Sequence, residues 1–151
     1  MDTGDLAPDF ELPDQDGVKR TLSTLLTEGG PVVLFFYPAA LSPGCTAESC
    51  HFRDLAKEFA AVGAQRVGIS GDRVEVQEKF AGQHGLDYPL LSDEGGAVAA
   101  EYGVKRRLGP VTVKRHTFVI DVDRRILGVI RSELRMNVHA DKALKLLAER
   151  Q

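Results

Sequence analysis

A continuous apolar run, Val32-Val33-Leu34-Phe35-Phe36, constrains the fold more than any other segment of the chain. Five successive β-branched, aromatic or aliphatic residues favour a strand, and a strand without polar alternate positions has no face that can meet water. We therefore expect this strand at the centre of a sheet that carries helices on both faces.

The rest of the chain supplies the elements of such a layered fold. An N-terminal hairpin is predicted over residues 9–22, with its turn at 14–17. Further strands are predicted at 67–70, 89–91, 117–120 and 126–130, and helices at 43–61, 73–84 and 96–102. A last helix carries Ala140, Ala143, Leu144 and Leu147 along one stripe. This order predicts an α/β thioredoxin-like sandwich with a central mixed sheet, formed by residues 1–151 as one domain.

Charge and hydropathy exclude two classes of partner. The 151 residues include 19 Lys and Arg against 22 Asp and Glu, and the basic clusters are too short to follow a phosphate backbone. No apolar stretch reaches the length of about 18 residues that a membrane span needs, and the N-terminus lacks the pattern of a signal peptide. We expect a cytoplasmic protein that binds neither nucleic acid nor membrane.

The chain has two cysteines, Cys45 and Cys50. One pair cannot build the disulfide scaffold of a small secreted domain, so a catalytic, redox or metal-binding role is favoured in a reducing compartment. A zinc set that includes His51 would lack the second ligand pair of usual zinc sites. A cysteine hydrolase would need a partner His that the spacing does not identify.

The segment before Cys45 has the sequence of a helix start. Ser42 suits the N-cap and Pro43 the first helical position, which places Cys45 at the third. Free backbone amides and the positive end of the helix dipole would stabilise a thiolate there. Cys45 is therefore the predicted nucleophile.

The spacing of the two cysteines separates them in an intact helix. Five residues rise about 7.5 Å and turn about 500°, so the two Cα atoms would lie roughly 8.6 Å apart. A disulfide needs about 4.4–6.8 Å. Cys45 should share the inward face of Phe52 while Cys50 points away, and a bond between the two cysteines would require the first turns to unwind.

At these residues the sequence resembles the peroxiredoxins. Pro38, Ser42 and Cys45 match the family pattern Pro-x-x-x-Thr/Ser-x-x-Cys, and Cys50 five positions later resembles the Q-type branch, the bacterioferritin comigratory proteins. The similarity extends along most of the chain, through Ala7-Pro8-Asp9-Phe10, Gly68-Ile69-Ser70-Gly71-Asp72, Pro89-Leu90-Leu91-Ser92-Asp93 and Arg115-His116-Thr117-Phe118-Val119-Ile120-Asp121.

The resemblance implies a thiol peroxidase that reduces hydrogen peroxide and organic hydroperoxides. Cys45 would be the peroxidatic thiolate, with Arg115, Ser42 and the amides of Gly44 and Cys45 donating to the peroxide and Pro38 shielding the site. Cys50 would resolve the Cys45 sulfenic acid as an intrachain disulfide, which thioredoxin or a similar dithiol would reduce. No metal or organic cofactor is implied, and a monomer is expected.

Several alternatives stay open in the sequence. The same cysteine chemistry would serve a peroxide sensor or redox relay that passes its disulfide to a partner. Glu48 could hydrogen-bond near the site or be an ordinary helix residue, and His84, His116 and His139 have no partner pattern. Two departures from the family affect loops: residues 105–114 lack an expected aromatic side chain, and the turn at 123–125 lacks glycine.

Overall fold

A five-stranded mixed sheet lies between two layers of helices in the computed structural model, which describes residues 1–109 and 112–150. The strands are β1 (Glu11–Pro13), β2 (Lys19–Thr21), β3 (Val32–Phe36), β4 (Gln65–Ser70), β5 (Leu90–Ser92), β6 (His116–Ile120) and β7 (Ile126–Arg131). The helices are α1 (Leu22–Gly29), α2 (Pro43–Asp54), α3 (Ala56–Ala61), α4 (Val74–His84), α5 (Ala97–Glu101) and α6 (Asn137–Glu149). In the described part of the chain, no helix combines the length and apolar character needed to cross a membrane.

The buried strand β3 occupies the middle of the sheet, as its sequence predicts. The strand order is β5-β4-β3-β6-β7, with β4 parallel to β3 and β6 antiparallel to it. All five residues of β3 are buried. The predicted N-terminal hairpin is also confirmed, because β1 and β2 pair antiparallel as a separate small sheet.

Alternate residues of β3 enter two hydrophobic cores, one on each face of the sheet. Leu34 and Phe36 join a cluster that includes residues of α1 and α5. Val33 and Phe35 join a second cluster with residues of α2, α3, α4 and α6. The helices therefore cover both faces, and α2 packs in the second cluster through Phe52.

Two helices differ from the predicted pattern. Helix α1 was not predicted, although Leu22, Leu25 and Leu26 are buried at helical spacing and Thr21 accepts the Thr24 amide at 3.1 Å as an N-cap. Its first residue, Leu22, directly follows β2, so the sequence pattern assigned Leu22 to the end of the hairpin. The single helix predicted over 43–61 is divided at Leu55, whose N–H donates to Phe52 O at 3.3 Å in a tighter turn.

The turn between β6 and β7 forms without glycine. Arg124 adopts a φ of 68°, and its N–H donates to Asp121 O at 2.9 Å. The chain thus accepts a left-handed arginine where a glycine would adopt the same backbone at lower cost.

Gly68 gives a stability prediction because its neighbours leave no space for a side chain. A Cβ there would lie 2.9 Å from Leu90 Cδ2 and 3.0 Å from Phe35 Cζ. Gly68→Ala should lower the free energy of unfolding by about 1–3 kcal/mol through overpacking. Gly82 is an exposed position of α4, and a Cβ there would have no other heavy atom within 4 Å. Gly82→Ala should therefore raise the free energy of unfolding by about 0.5–1 kcal/mol. Chemical denaturation measures both, and equal effects at the two positions would contradict the packing argument.

Candidate active site

The loop from β3 to α2 places a cysteine at the first turn of a helix. Tyr37 directly follows β3 and is fully buried. Ala40 N–H donates to Asp72 Oδ2 at 2.7 Å, which connects the loop to the segment that follows β4. Leu41 adopts a left-handed φ of 69°, which is uncommon for a residue with a branched side chain. The chain then enters α2 at Pro43, the predicted first helical residue.

The two cysteines lie on one helix in different environments. Cys45 is fully buried at the third helical position, and Phe52 is buried two turns later on the same face. Cys50 is only partly buried, and both thiols are free. The predicted division of the helix into an inward Cys45 and an outward Cys50 is therefore confirmed by their burial.

One guanidinium connects Cys45 to a buried carboxylate. Arg115 Nη2 donates to Cys45 Sγ at 3.2 Å, and Arg115 Nη1 donates to Glu48 Oε1 at 3.0 Å. Arg115 is itself 6% exposed and directly precedes β6. Glu48 and Cys45 are three residues apart on α2, so both reach the same side of the helix.

The Arg115 guanidinium lies between two acidic groups, the Glu48 carboxyl and the Cys45 thiol. Burial raises the pKa of Glu48 to about 7, and the attraction of Arg115 opposes that shift. Burial works against the charge of Arg115, but Glu48 and Cys45 outweigh it and leave the pKa of Arg115 raised. Arg115 is therefore cationic throughout, and its charge is available to a Cys45 thiolate.

The structure also shows the surroundings of Ser42 and Pro38. Ser42 stands at the N-cap, as predicted, and its hydroxyl donates to Ala39 O at 2.8 Å and makes no side-chain cap bond. Within the described residues, Arg115 is the only hydrogen-bond donor found at Cys45 Sγ. Pro38 borders a cavity of about 340 Å³, whose lining includes Phe36 and Asp72 but neither cysteine.

Comparison with known proteins identifies the family and the fold of the chain. A family model described as the AhpC/TSA family matches residues 3–129. The chain belongs to this family. A chloroplastic peroxiredoxin Q of Sedum lineare is 42% identical over 144 residues, which cover 95% of this chain and 76% of that protein.

Solved structures agree along almost the whole chain. The crystal structure of peroxidoxin BcpB from Mycobacterium tuberculosis has a TM-score of 0.95 at 63% identity and covers 100% of this chain and 99% of that one. Xanthomonas campestris peroxiredoxin Q has a TM-score of 0.85 at 28% identity, covering 93% and 90%. The Q-type peroxiredoxin resemblance and the thioredoxin-like fold are confirmed, and the relatives support a cysteine-based thiol peroxidase.

A buried histidine, His139, lies near Glu48, the carboxylate that pairs with Arg115. His139 Nε2 donates to Ser132 O at 2.8 Å, and its Nδ1 accepts the Thr117 hydroxyl at 2.7 Å. Burial lowers the pKa of His139, so the ring is neutral. Its Nε2 is 3.6 Å from Glu48 Oε2, an oxygen without a hydrogen-bond partner among the described residues. The sequence carried no signal for this contact.

Met136 lies over the first turn of α2, and the sequence did not single it out. A Cβ at Gly44 would lie 3.7 Å from Met136 Cε and 3.5 Å from Arg115 Nη2. These are ordinary van der Waals distances, so the packing around Gly44 would accept a small side chain.

Two features of the sequence remain: the metal set that would include His51 and the loop over 105–114. His51 Nε2 pairs with Asp141 Oδ1 at 2.8 Å, and no group of three metal-ligating side chains is found in residues 1–109 and 112–150. Positions 110 and 111 of the loop over 105–114 lie outside the described residues. On either side of them Arg106 N–H donates to Thr112 O at 2.9 Å.

The raised pKa of Glu48 predicts how stability depends on pH. The folded state binds the Glu48 proton more tightly than the unfolded state does. The stabilisation of the fold by this proton is therefore complete below about pH 4.5 and is lost as pH rises through about 7. The loss should be of order 3 kcal/mol in the free energy of unfolding. Glu48→Gln should remove this fall, measured by denaturant unfolding at intervals across that range.

The matched control is Glu101→Gln, which removes an exposed carboxylate. It should retain the wild-type fall with pH. An identical fall in wild type and Glu48→Gln would show that the carboxyl of Glu48 titrates normally.

Proposed function

We propose that Cys45 is the peroxidatic residue of a thiol peroxidase that reduces hydrogen peroxide and organic hydroperoxides. The observation that supports this most directly is the 3.2 Å contact of Arg115 Nη2 with the buried Cys45 sulfur at the start of α2. A permanent cation and a helix N-terminus both favour the thiolate, which is the nucleophilic form. The names of the relatives favour a peroxidase over a sensor or relay.

In the first step the thiolate attacks one peroxide oxygen in line with the O–O bond. The S–O bond forms as the O–O bond breaks, and the departing hydroxide or alkoxide takes a proton to leave as water or alcohol. Cys45 becomes a sulfenic acid, oxidised by two electrons. Arg115 stabilises the negative charge that grows on the departing oxygen.

The other predicted site residues assist this step in our proposal. The Ser42 hydroxyl, which now donates to Ala39 O, can turn about its side-chain bond toward a bound peroxide. The backbone N–H groups of Gly44 and Cys45 belong to the first turn of α2 and have no partner within the helix. Pro38 has no backbone N–H that could compete for hydrogen bonds to the peroxide, and its ring shields the sulfenic acid from water.

In the second step Cys50 resolves the sulfenic acid. Its thiol forms the S–S bond with Cys45 and releases the sulfenyl oxygen as water. Both cysteines lie on the intact helix α2, where ideal geometry holds their Cα atoms roughly 8.6 Å apart, beyond disulfide range. The first turns of α2 must therefore unwind before this bond forms.

The cycle closes by reduction of the disulfide. We propose thioredoxin or a similar dithiol, which supplies two electrons through a mixed disulfide and leaves as its own disulfide. One domain of residues 1–151 acting as a monomer is sufficient, since both cysteines are in one chain. A reducing cytoplasm would keep both thiols free between cycles. No metal or organic cofactor enters these steps.

Intact-mass measurement after one equivalent of hydrogen peroxide tests the assigned cysteines. Wild type should lose two hydrogens, because its sulfenic acid condenses with Cys50. Cys50→Ser should gain one oxygen on Cys45, because the resolving thiol is absent. Cys45→Ser should keep its mass. Peroxide consumption by Cys45→Ser at the wild-type rate would overturn the mechanism.

The role of Arg115 is tested by the rate at which peroxide oxidises Cys45. Arg115→Met should slow this reaction by about 10²–10³-fold, the range for loss of one donor to a developing negative charge. The matched control Arg131→Met removes a guanidinium that pairs with Asp2 on the surface and should leave the rate within about twofold.

Both arginine variants are also made with Glu48→Gln, because Arg115→Met alone would leave a buried carboxylate unpaired. The rate loss should persist in that background. Equal rates for Arg115→Met and Arg131→Met there would contradict the assignment of Arg115.

A further inference from the structure

The two halves of α2 are held to the rest of the protein in different ways. The side-chain ion pair and hydrogen bonds found for residues 43–48 in the described structure run to Arg115, through Cys45 Sγ and Glu48 Oε1. In the proposed function the Cys45 contact is made by a thiolate, whereas the Glu48 contact does not involve Cys45. One of the two side-chain contacts that anchor the first half of the helix therefore changes its charge during the proposed reaction.

The second half is anchored by contacts to its main chain and by aromatic packing. Tyr88 OH donates to Ser49 O at 2.7 Å, and Arg66 Nη1 donates to Phe52 O at 3.0 Å. The Phe52 ring stacks on Phe35 of β3 with centroids 4.1 Å apart and planes at 7°. None of these contacts involves Cys45.

Tyr88 and Arg66 contact each other, and both contact the sheet. The Arg66 guanidinium lies 5.0 Å from the centroid of the Tyr88 ring and donates to both carboxylate oxygens of Asp87, at 2.9 and 3.0 Å. Arg66 belongs to β4, and the edge of Tyr88 contacts Phe35. Burial raises the pKa of Tyr88, so its hydroxyl keeps its proton and remains a donor.

From this asymmetry we infer that Tyr88 and Arg66 are positioning residues that stop the unwinding of α2 just before Cys50. The inference rests on the proposed Cys45–Cys50 disulfide. A sulfenic acid is neutral and attracts Arg115 less than a thiolate does, so oxidation loosens the first half of α2. The second half stays in place, and Cys45 moves to a stationary Cys50.

The helix hydrogen bonds define where this boundary should be visible. Each helical N–H donates to the carbonyl four residues before it. If residues 43–48 unwind, the amides of residues 47–52 lose their acceptors. The amides of Arg53 and Asp54 keep the carbonyls of Ser49 and Cys50. This remaining turn is too short to persist alone and depends on the Tyr88 and Arg66 contacts.

Hydrogen exchange on the reduced and disulfide forms of the full chain tests the boundary. The disulfide is made with diamide, a thiol oxidant, and checked by intact mass, so the test does not depend on peroxide activity. In wild type the amides of residues 47–52 should exchange about tenfold faster in the disulfide form, since each loses a hydrogen bond. The amides of Arg53 and Asp54 should change less than about twofold.

Tyr88→Phe removes only the hydroxyl of the Tyr88 contact. In the disulfide form the amides of Arg53 and Asp54 should then exchange about fivefold faster than in wild type, while the reduced forms should agree within about twofold. The matched control is Tyr102→Phe, which loses a similarly buried hydroxyl that donates to Pro8 O at 2.7 Å. It should behave as wild type in both forms.

Three results would overturn the inference. One is wild-type disulfide protein in which Arg53 and Asp54 exchange as fast as residues 47–52. Another is a Tyr88→Phe effect of equal size in the reduced and disulfide forms, which would make Tyr88 a merely structural residue. The third is failure of diamide to join Cys45 to Cys50. Loss of peroxide activity alone, with the boundary intact, would count against the proposed function instead.

Discussion

The shared guanidinium of Arg115 is the interaction on which the active site depends. It contacts the Cys45 sulfur and the Glu48 carboxylate at hydrogen-bond distance, in a region where all three groups are nearly excluded from water. A buried cation without partners would be costly, and so would a buried carboxylate, so each group makes the burial of the other tolerable. The cluster fixes the first half of α2 against the sheet.

The sheet topology brings these groups together from distant parts of the chain. Because β6 runs antiparallel to β3, the start of β6 lies beside the end of β3, with Phe35 opposite Thr117. Arg115 precedes β6 and Cys45 follows β3, so two residues that are 70 positions apart in the sequence are in direct contact. The second core beneath them, built on Phe35 and Phe52, sets the distance between helix and sheet.

The sequence was sufficient for the central strand, the layered fold and the helix start at Pro43, because each depends on local pattern or on a residue with few allowed conformations. It was also sufficient for the opposite faces of Cys45 and Cys50. It was insufficient for the Ser42 side chain, whose hydroxyl donates to Ala39 O, and for His139, whose partners come from β6 and the chain before α6. Long-range side-chain contacts of this kind leave no periodic signal.

The left-handed backbone of Leu41 has a consequence for the proposed unwinding of α2. A branched side chain at this φ costs about 1–2 kcal/mol relative to an ordinary conformation. The folded loop carries that cost, and a chain released from Pro43 onward is free to lose it. The same backbone conformation that leads the chain into α2 would therefore lower the free energy needed for the proposed unwinding.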